Sequence, residues 1–238
     1  LINTLTERIE LIEKTGVDHL VVVAFTDYFA NQSAEEYISD FLVDKFHPHT
    51  IIIGFDHRFG HGRVGNFKLM EEKAAVYNYI LKEIPEHVSD AVKVSSSNIR
   101  QAILHGQVEE ANRWLGYPFF FEGEVVHGDK IGRTIGYPTA NLKSTDEEKI
   151  VLGDGIYAVY TEVDGIRYKG MMSIGFRPTV NGKRRVVEVN IFDFEKEIYG
   201  QLIRVIVIKH LRNEVRFDGL EELKMALHQD KENSLACL

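Results

Sequence analysis

The sequence predicts a two-part chain: an open α/β domain with a mostly parallel sheet covered by helices, then a small antiparallel β-barrel closed by a C-terminal helix. Three observations carry this. Helix-period segments and continuously apolar segments alternate as far as about residue 116. Beyond that point come segments rich in β-branched and aromatic residues, joined by turn signals. Residues 219–238 then return to helical spacing.

Residues 4–15, TLTERIELIEKT, put Thr4 and Glu7 at capping-box spacing and set Leu5, Ile9 and Ile12 along one face. Gly16 ends this helix. HLVVVAF, residues 19–25, reads as a buried strand, and Ser33 with Glu36 forms a second capping box opening a helix through Phe46. TIIIG at 50–54 is the next apolar strand. A glycine-rich loop leads to NFKLMEEKAAVYNYILKE, which reads as one long helix over 66–83. AVKV at 91–94 reads as a short strand, and residues 97–116 as two short helices broken near Gly106.

A boundary falls at 116/117, giving halves 1–116 and 117–238. The second half carries FFFEGEVV, GIYAVYTEV, RYKGMMSIG, RRVVEVNIF and LIRVIVIKHL as strands, with Asp164-Gly165 as a hairpin turn. GLEELKMALHQDKENSLACL is the closing helix.

Composition limits the function classes. The 238 residues are 44% apolar, which is ordinary for a globular chain, and carry a formal charge of -8. That charge gives no broad attraction to nucleic acid or anionic membrane, so an anion needs a local site. No apolar run approaches the ~20 residues of a membrane-spanning helix. Cys237 is the single cysteine, which excludes an internal disulfide framework and a cysteine-cluster zinc site and fits a reducing compartment, the cytoplasm. The expected partners are small molecules, with oligomeric state left open. The chain starts at Leu1, directly on a helical pattern, which predicts residues upstream.

Two stretches of the first half stand where open α/β sheets bind ligands, at the carboxyl ends of strands. GFDHRFGHGRVGN, residues 54–66, contains Asp56, and SSSNIR, residues 95–100, sets Ser96, Ser97 and Arg100 at a helix start. The latter suits a phosphate, through hydroxyls, free backbone N-H groups and a planar charged fork, or is simply an N-cap. His57 and His61 lie on a glycine-broken loop with no third ligand nearby, and no zinc site is expected.

In the second half, HGDKIGRTIGYPTANL places Gly128, Lys130, Gly132 and Arg133 ahead of Thr139 and Asn141. It lacks the Walker spacing. It reads either as a backbone phosphate cradle or as a glycine-rich turn. Thr139 and Asn141 point to one side of an extended segment and offer hard neutral oxygens that suit Mg2+. On RRVVEVNIF, alternation sends Val187, Val189 and Ile191 to one face and Glu188, Asn190 and Phe192 to the other. Glu188 is the candidate base for phosphoryl transfer to an alcohol, or a solvated strand residue. HLRNEVRFDGL, containing Arg212, is either a lid or a helix cap.

Together these motifs resemble the bacterial bifunctional riboflavin kinase/FMN adenylyltransferase family, also called FAD synthetase, over essentially the whole chain. GFDHRFGHGRVG and SSSNIR resemble its adenylyltransferase half, with serine at a usual threonine; GEVVHGDKIGRTIGYPTANL, SIGFRPTV, VEVNIFDF, IYG and LRNEVRF resemble its kinase half, in order. The resemblance implies a nucleotidyltransferase-like (Rossmann-type) domain, partial here, and a six-stranded riboflavin kinase barrel. It implies ATP-dependent phosphorylation of riboflavin to FMN with Mg2+, then adenylylation of FMN to FAD with release of pyrophosphate. Gly128, Lys130, Gly132 and Arg133 are then the loop over the ATP phosphates, Thr139 and Asn141 the ATP-magnesium pair, Glu188 the catalytic base and Arg212 the flavin-side flap. Asp56, Ser96, Ser97 and Arg100 match nucleotide and flavin contacts of adenylyl transfer. The family's opening strand and histidine-x-glycine-histidine motif do not occur in these 238 residues. A non-catalytic flavin-binding module is the alternative reading, and nucleotidyl transfer to a different small molecule is a third.

Overall fold

The computed structural model describes residues 1–86, 88–89, 92–128, 131–179 and 182–238, and the chain divides into two compact units. One unit joins residues 1–16 to 94–238, and the other is 17–93.

In the larger unit, α1 (Leu5–Glu13) starts on the expected capping box, the Thr4 side chain accepting from Glu7 N-H and the Glu7 carboxylate accepting from Thr4 N-H. Helices α6 (Ser96–Leu104) and α7 (Val108–Leu115) break at Gly106, whose φ of 73° suits glycine. Six strands follow: β5 (Phe120–Val126), β6 (Ala140–Ser144), β7 (Gly155–Val163), β8 (Ile166–Thr179), β9 (Gly182–Ile191) and β10 (Leu202–Arg212). They close an antiparallel barrel in the order β10-β5-β6-β9-β8-β7. Asp164 and Gly165, at φ 51° and 76°, make the β7–β8 hairpin turn. Alternate residues fill the interior, among them Val125, Val159, Met172, Ile174, Val189, Val205 and Val207. The short helix α8 (Ile131–Thr134) lies in the β5–β6 connection, and α9 (Leu220–Cys237) closes the chain.

The barrel is tied to α1 by charge. Lys149 and Glu7 form an ion pair with both side chains only 4% exposed, and Arg204 holds Glu10 at 2.6 Å and Glu122 at 2.7 Å. Burial pulls the Lys149 ammonium below its usual pKa, against the opposing pull of Glu7.

The smaller unit contains α2 (Asp27–Ala30), then a helical run opened by the Ser33–Glu36 capping box. That run passes from α3 (Ala34–Glu36) through a π-helical stretch (Tyr37–Val43) to α4 (Asp44–Phe46). Strand β1 (Thr50–Gly54) pairs in parallel with β2 (Ile80–Ile84), Thr50 opposite Ile80. A 3-10 turn (His61–Arg63) precedes α5 (Phe67–Tyr77), and β3 (Val88–Ser89) pairs antiparallel with β4 (Val92–Lys93). Ile38, Ile53, Phe59, Met70 and Tyr79 form the core.

Two expectations are corrected here. The long helix over 66–83 ends at Tyr77, because Asn78 turns left-handed at φ 56° and residues 80–84 enter the parallel ladder instead. Residues 19–25 form no strand and are not buried: Val21 is 56% exposed and Phe25 80%. An apolar run becomes a strand only with a ladder partner, and among the described residues this one has none.

Candidate functional site

The site is built on three neighbouring strands. Glu188 of β9 stands opposite Asn141 of β6 on one side and Ser173 of β8 on the other. Its neighbours Val187 and Val189 pack with the barrel core, so the pleat turns Glu188 to the outer face. Thr139, two residues before Asn141, brings its hydroxyl to 3.4 Å from Glu188 Oε1. A carboxylate, a hydroxyl and a carboxamide therefore share one patch of the barrel wall.

Buried polar contacts hold the arm leading into β6. Asn190, 6% exposed, donates its side-chain N-H to the Pro138 carbonyl at 2.6 Å. The 132–137 loop folds tightly: Tyr137 N-H donates to the Gly132 carbonyl at 2.8 Å, and a Cβ on Gly132 would lie 2.2 Å from the Tyr137 carbonyl oxygen. Gly128 lies against the Asn141 amide, where a Cβ would come within 2.2 Å of Nδ2. These two glycines are required by close approach, so the loop is more than a flexible connection. Arg133 stands at the rim, 3.7 Å from Glu197, with both side chains largely exposed. Lys130 lies outside the described residues.

Arg177 crosses the same face. Its Nη2 donates to Glu188 Oε2 at 2.9 Å and its Nη1 to Glu214 Oε1 at 2.8 Å. Burial works against the Arg177 charge, but the bonds and charges of Glu214 and Glu188 outweigh it and raise its pKa above the ordinary guanidinium value. Sequence reasoning assigned a role to neither Arg177 nor Glu214. The available signal was the alternation of SIGFR, which puts Ser173, Gly175 and Arg177 on one face, and the ladder makes it the face that carries Glu188.

Arg212, at the end of β10, directs its fork to Asp230 of α9, Nε to Oδ1 at 2.8 Å and Nη2 to Oδ2 at 2.7 Å. A cleft of about 590 Å³ opens between Thr134–Tyr137 and the α9 side chains Lys224, His228 and Lys231. Tyr137 and His228 are 3.3 Å apart there, O to Nδ1. Its volume is in the range of small-molecule pockets.

At the start of α6, Ser95 is the cap, its hydroxyl accepting from Asn98 N-H at 3.3 Å. Ser96 and Ser97 thus occupy the first turn, and Arg100 donates to the Ser97 hydroxyl at 3.4 Å. Asp56, in the other unit, follows β1 in an exposed turn where His57 N-H donates to the Gly54 carbonyl at 3.0 Å. His57 stacks on Phe59, and His61 N-H donates to the Gln32 carbonyl at 2.7 Å.

A closed six-stranded barrel bearing an outward carboxylate beside neutral oxygen donors and a tight glycine loop can orient a hydroxyl for phosphoryl transfer, which is the chemistry of a phosphotransferase. Profile comparison agrees: the family described as "Riboflavin kinase" matches residues 115–238, and that described as "FAD synthetase" matches residues 1–98. The bifunctional riboflavin kinase/FMN adenylyltransferase of Haemophilus influenzae is 35% identical over 98% of this chain and 75% of its own length. That of Bacillus subtilis is 38% identical over 99% of this chain and 74% of its own length. A crystal structure described as a macrolide-efflux protein from Streptococcus pneumoniae is 35% identical, with a TM-score of 0.87 over 98% of this chain and 75% of that one. Among the described residues no helix is long and apolar enough to cross a membrane. The chain belongs to the bifunctional riboflavin kinase/FMN adenylyltransferase family.

Proposed function

We infer that this protein transfers a phosphoryl group from ATP to riboflavin, giving FMN, and adenylylates FMN to FAD with release of pyrophosphate. The observation that carries the kinase reading is the shared outer face of Thr139, Asn141 and Glu188. Glu188 is the base: its carboxylate accepts the proton of the terminal ribityl hydroxyl as that oxygen attacks the γ-phosphorus, the bond from the γ-phosphorus to the β,γ-bridging oxygen breaks, and ADP leaves. Gly128, Lys130, Gly132 and Arg133 are the loop over the phosphates: the two glycines let backbone N-H groups come close because they carry no Cβ, and the lysine and arginine add positive charge.

The donor set fits a magnesium ion. The Thr139 hydroxyl and the Asn141 amide oxygen are hard and neutral, and the contact of Asn141 with Gly128 leaves its amide little freedom to turn away. When bound, Mg2+ supplies neutralisation of the nucleotide phosphates. Thr139 and Asn141 would hold it, leaving Glu188 to the hydroxyl proton.

Arg212 belongs to the flavin-side flap, and Asp56, Ser96, Ser97 and Arg100 to nucleotide and flavin binding during adenylyl transfer. We assign adenylyl transfer to residues 1–116 and phosphoryl transfer to 117–238. The lone Cys237 supports a reducing, cytoplasmic setting.

Chromatography of the protein with riboflavin, ATP and Mg2+ tests this reading. FMN is the expected kinase product and FAD the expected product of both steps. A Glu188→Gln protein should bind flavin and lose most turnover. Flavin fluorescence quenching without ATP consumption would instead identify a binding module.

A further inference from the structure

Arg177 and the segment between β10 and α9 form a latch that the proposed chemistry does not yet use. On β8, Ser173, Gly175 and Arg177 share the face that carries Glu188. Glu214 comes from residues 213–219, outside the barrel strands. Its carboxylate sits on the bare backbone of Gly175, where a Cβ would lie 2.0 Å from Oε2. Arg177, two residues further along β8, reaches Glu214 with one nitrogen and Glu188 with the other, at 2.8 and 2.9 Å. A missing side chain makes the seat, and one planar fork joins the seated segment to the candidate base.

We propose that Arg177 is a positioning residue that orients Glu188 for proton transfer only while Glu214 is seated on Gly175, so that closure of the 213–219 segment and alignment of the base are one event. The proposal rests on the reading of Glu188 as the base. With Glu214 seated, the guanidinium is fixed at both ends and the carboxylate it holds has one orientation. With Glu214 released, Arg177 has a single partner and Glu188 loses its fixed direction.

The test is a double-mutant cycle on the full chain, using Arg177→Lys, Glu214→Gln and their combination, with Glu188→Gln alongside. Lysine keeps the charge but lacks the fork that spans two carboxylates. The Arg177→Lys protein is expected to lose about tenfold or more in kcat for FMN formation, with KM for ATP little changed. Glu214→Gln should lose kcat in the same direction, and the double variant should fall no further than Arg177→Lys alone. Thermal midpoints measured on every variant separate loss of folding from loss of alignment. Wild-type kcat in folded Arg177→Lys, or losses that multiply in the double variant, overturns the proposal. If Glu188→Gln itself keeps its turnover, the reading of the base fails and the latch with it; if only Glu188→Gln is impaired, the latch alone fails.

Discussion

The Asn141 side chain fills the space beside Gly128 so closely that a Cβ there would lie 2.2 Å from Nδ2 and 2.7 Å from Oδ1. The contact links the two parts of the glycine-rich stretch: the loop at 128 can exist only where residue 141 leaves it room. Gly128→Ala must therefore displace the Asn141 amide, while the barrel interior is untouched. FMN formation is expected to fall about 10- to 100-fold. The thermal midpoint should move by no more than a few degrees. A variant with full activity would remove Asn141 from the magnesium end of the site.

The Asn190–Pro138 bond makes a separate prediction. Asn190 sits on the Glu188 side of β9, yet its amide is spent on the backbone just before Thr139. Asn190→Ala leaves that carbonyl without its partner, at a cost of about 1–3 kcal/mol in urea unfolding. Turnover should fall by about tenfold or more beyond what the unfolded fraction explains, because Thr139 loses its support.

Much of this site could be read from one sequence because its logic is local. Alternation along β9 places Glu188 opposite Val187 and Val189 whatever the partner strands are. The Thr4–Glu7 and Ser33–Glu36 capping boxes likewise depend only on four consecutive positions. What was missed depends on partners far away in the chain. Arg177 is 11 residues from Glu188 and 37 from Glu214, and local alternation gives the face it stands on but not the two carboxylates it joins. Residues 19–25 have the composition of a buried strand, but composition does not supply a ladder partner. Asn78 failed as a signal for a related reason: its left-handed turn separates a helix from a strand inside one apolar-patterned stretch.

The attachment of α1 to the barrel yields a contrast between two acidic residues one turn apart. Glu7 pairs with Lys149 out of water, whereas the Glu10 side chain is 28% exposed. Glu7→Ala leaves a buried ammonium unpaired and should cost about 3–5 kcal/mol. Replacing both residues by apolar ones, Glu7→Leu with Lys149→Met, should recover a large part of that loss, since the uncompensated charge is gone. Denaturant unfolding of the three proteins checks this.

Glu10 gives the pH dependence. Hydrogen bonds from Arg204, then from Lys14, hold its pKa at about 2, below its ordinary 4.5. The folded value lies below the unfolded one, so the stabilisation is complete above about 4.5 and is lost as pH falls through about 2. Solvent screening of this partly exposed group limits the gain to about 1 kcal/mol. Wild type and Glu10→Gln should differ by that amount near pH 6, and by less than half of it near pH 3. A gap that stays constant with pH would assign the effect to packing rather than to charge.

Arg212 and Asp230 supply the last prediction, because the pair joins a proposed flavin contact to a residue outside the site. Asp230 is 1% exposed and accepts both arms of the guanidinium, at 2.8 and 2.7 Å. The fork is thus fixed in direction by α9 before any flavin arrives, and a further Arg212 bond reaches the Asn213 carbonyl at 3.0 Å. If Arg212 meets the flavin from this anchored position, Asp230→Asn should weaken flavin binding without itself touching the ligand. KM for riboflavin is expected to rise about 10-fold or more, with a smaller change in KM for ATP. Stability should also fall, by about 3–5 kcal/mol, since Arg212 is left partly buried without its countercharge. The two effects are separable, because flavin titration at low temperature reads binding in the folded fraction alone. A destabilised Asp230→Asn protein with unchanged flavin affinity would leave Arg212 as a strut for α9 and remove it from the flavin flap.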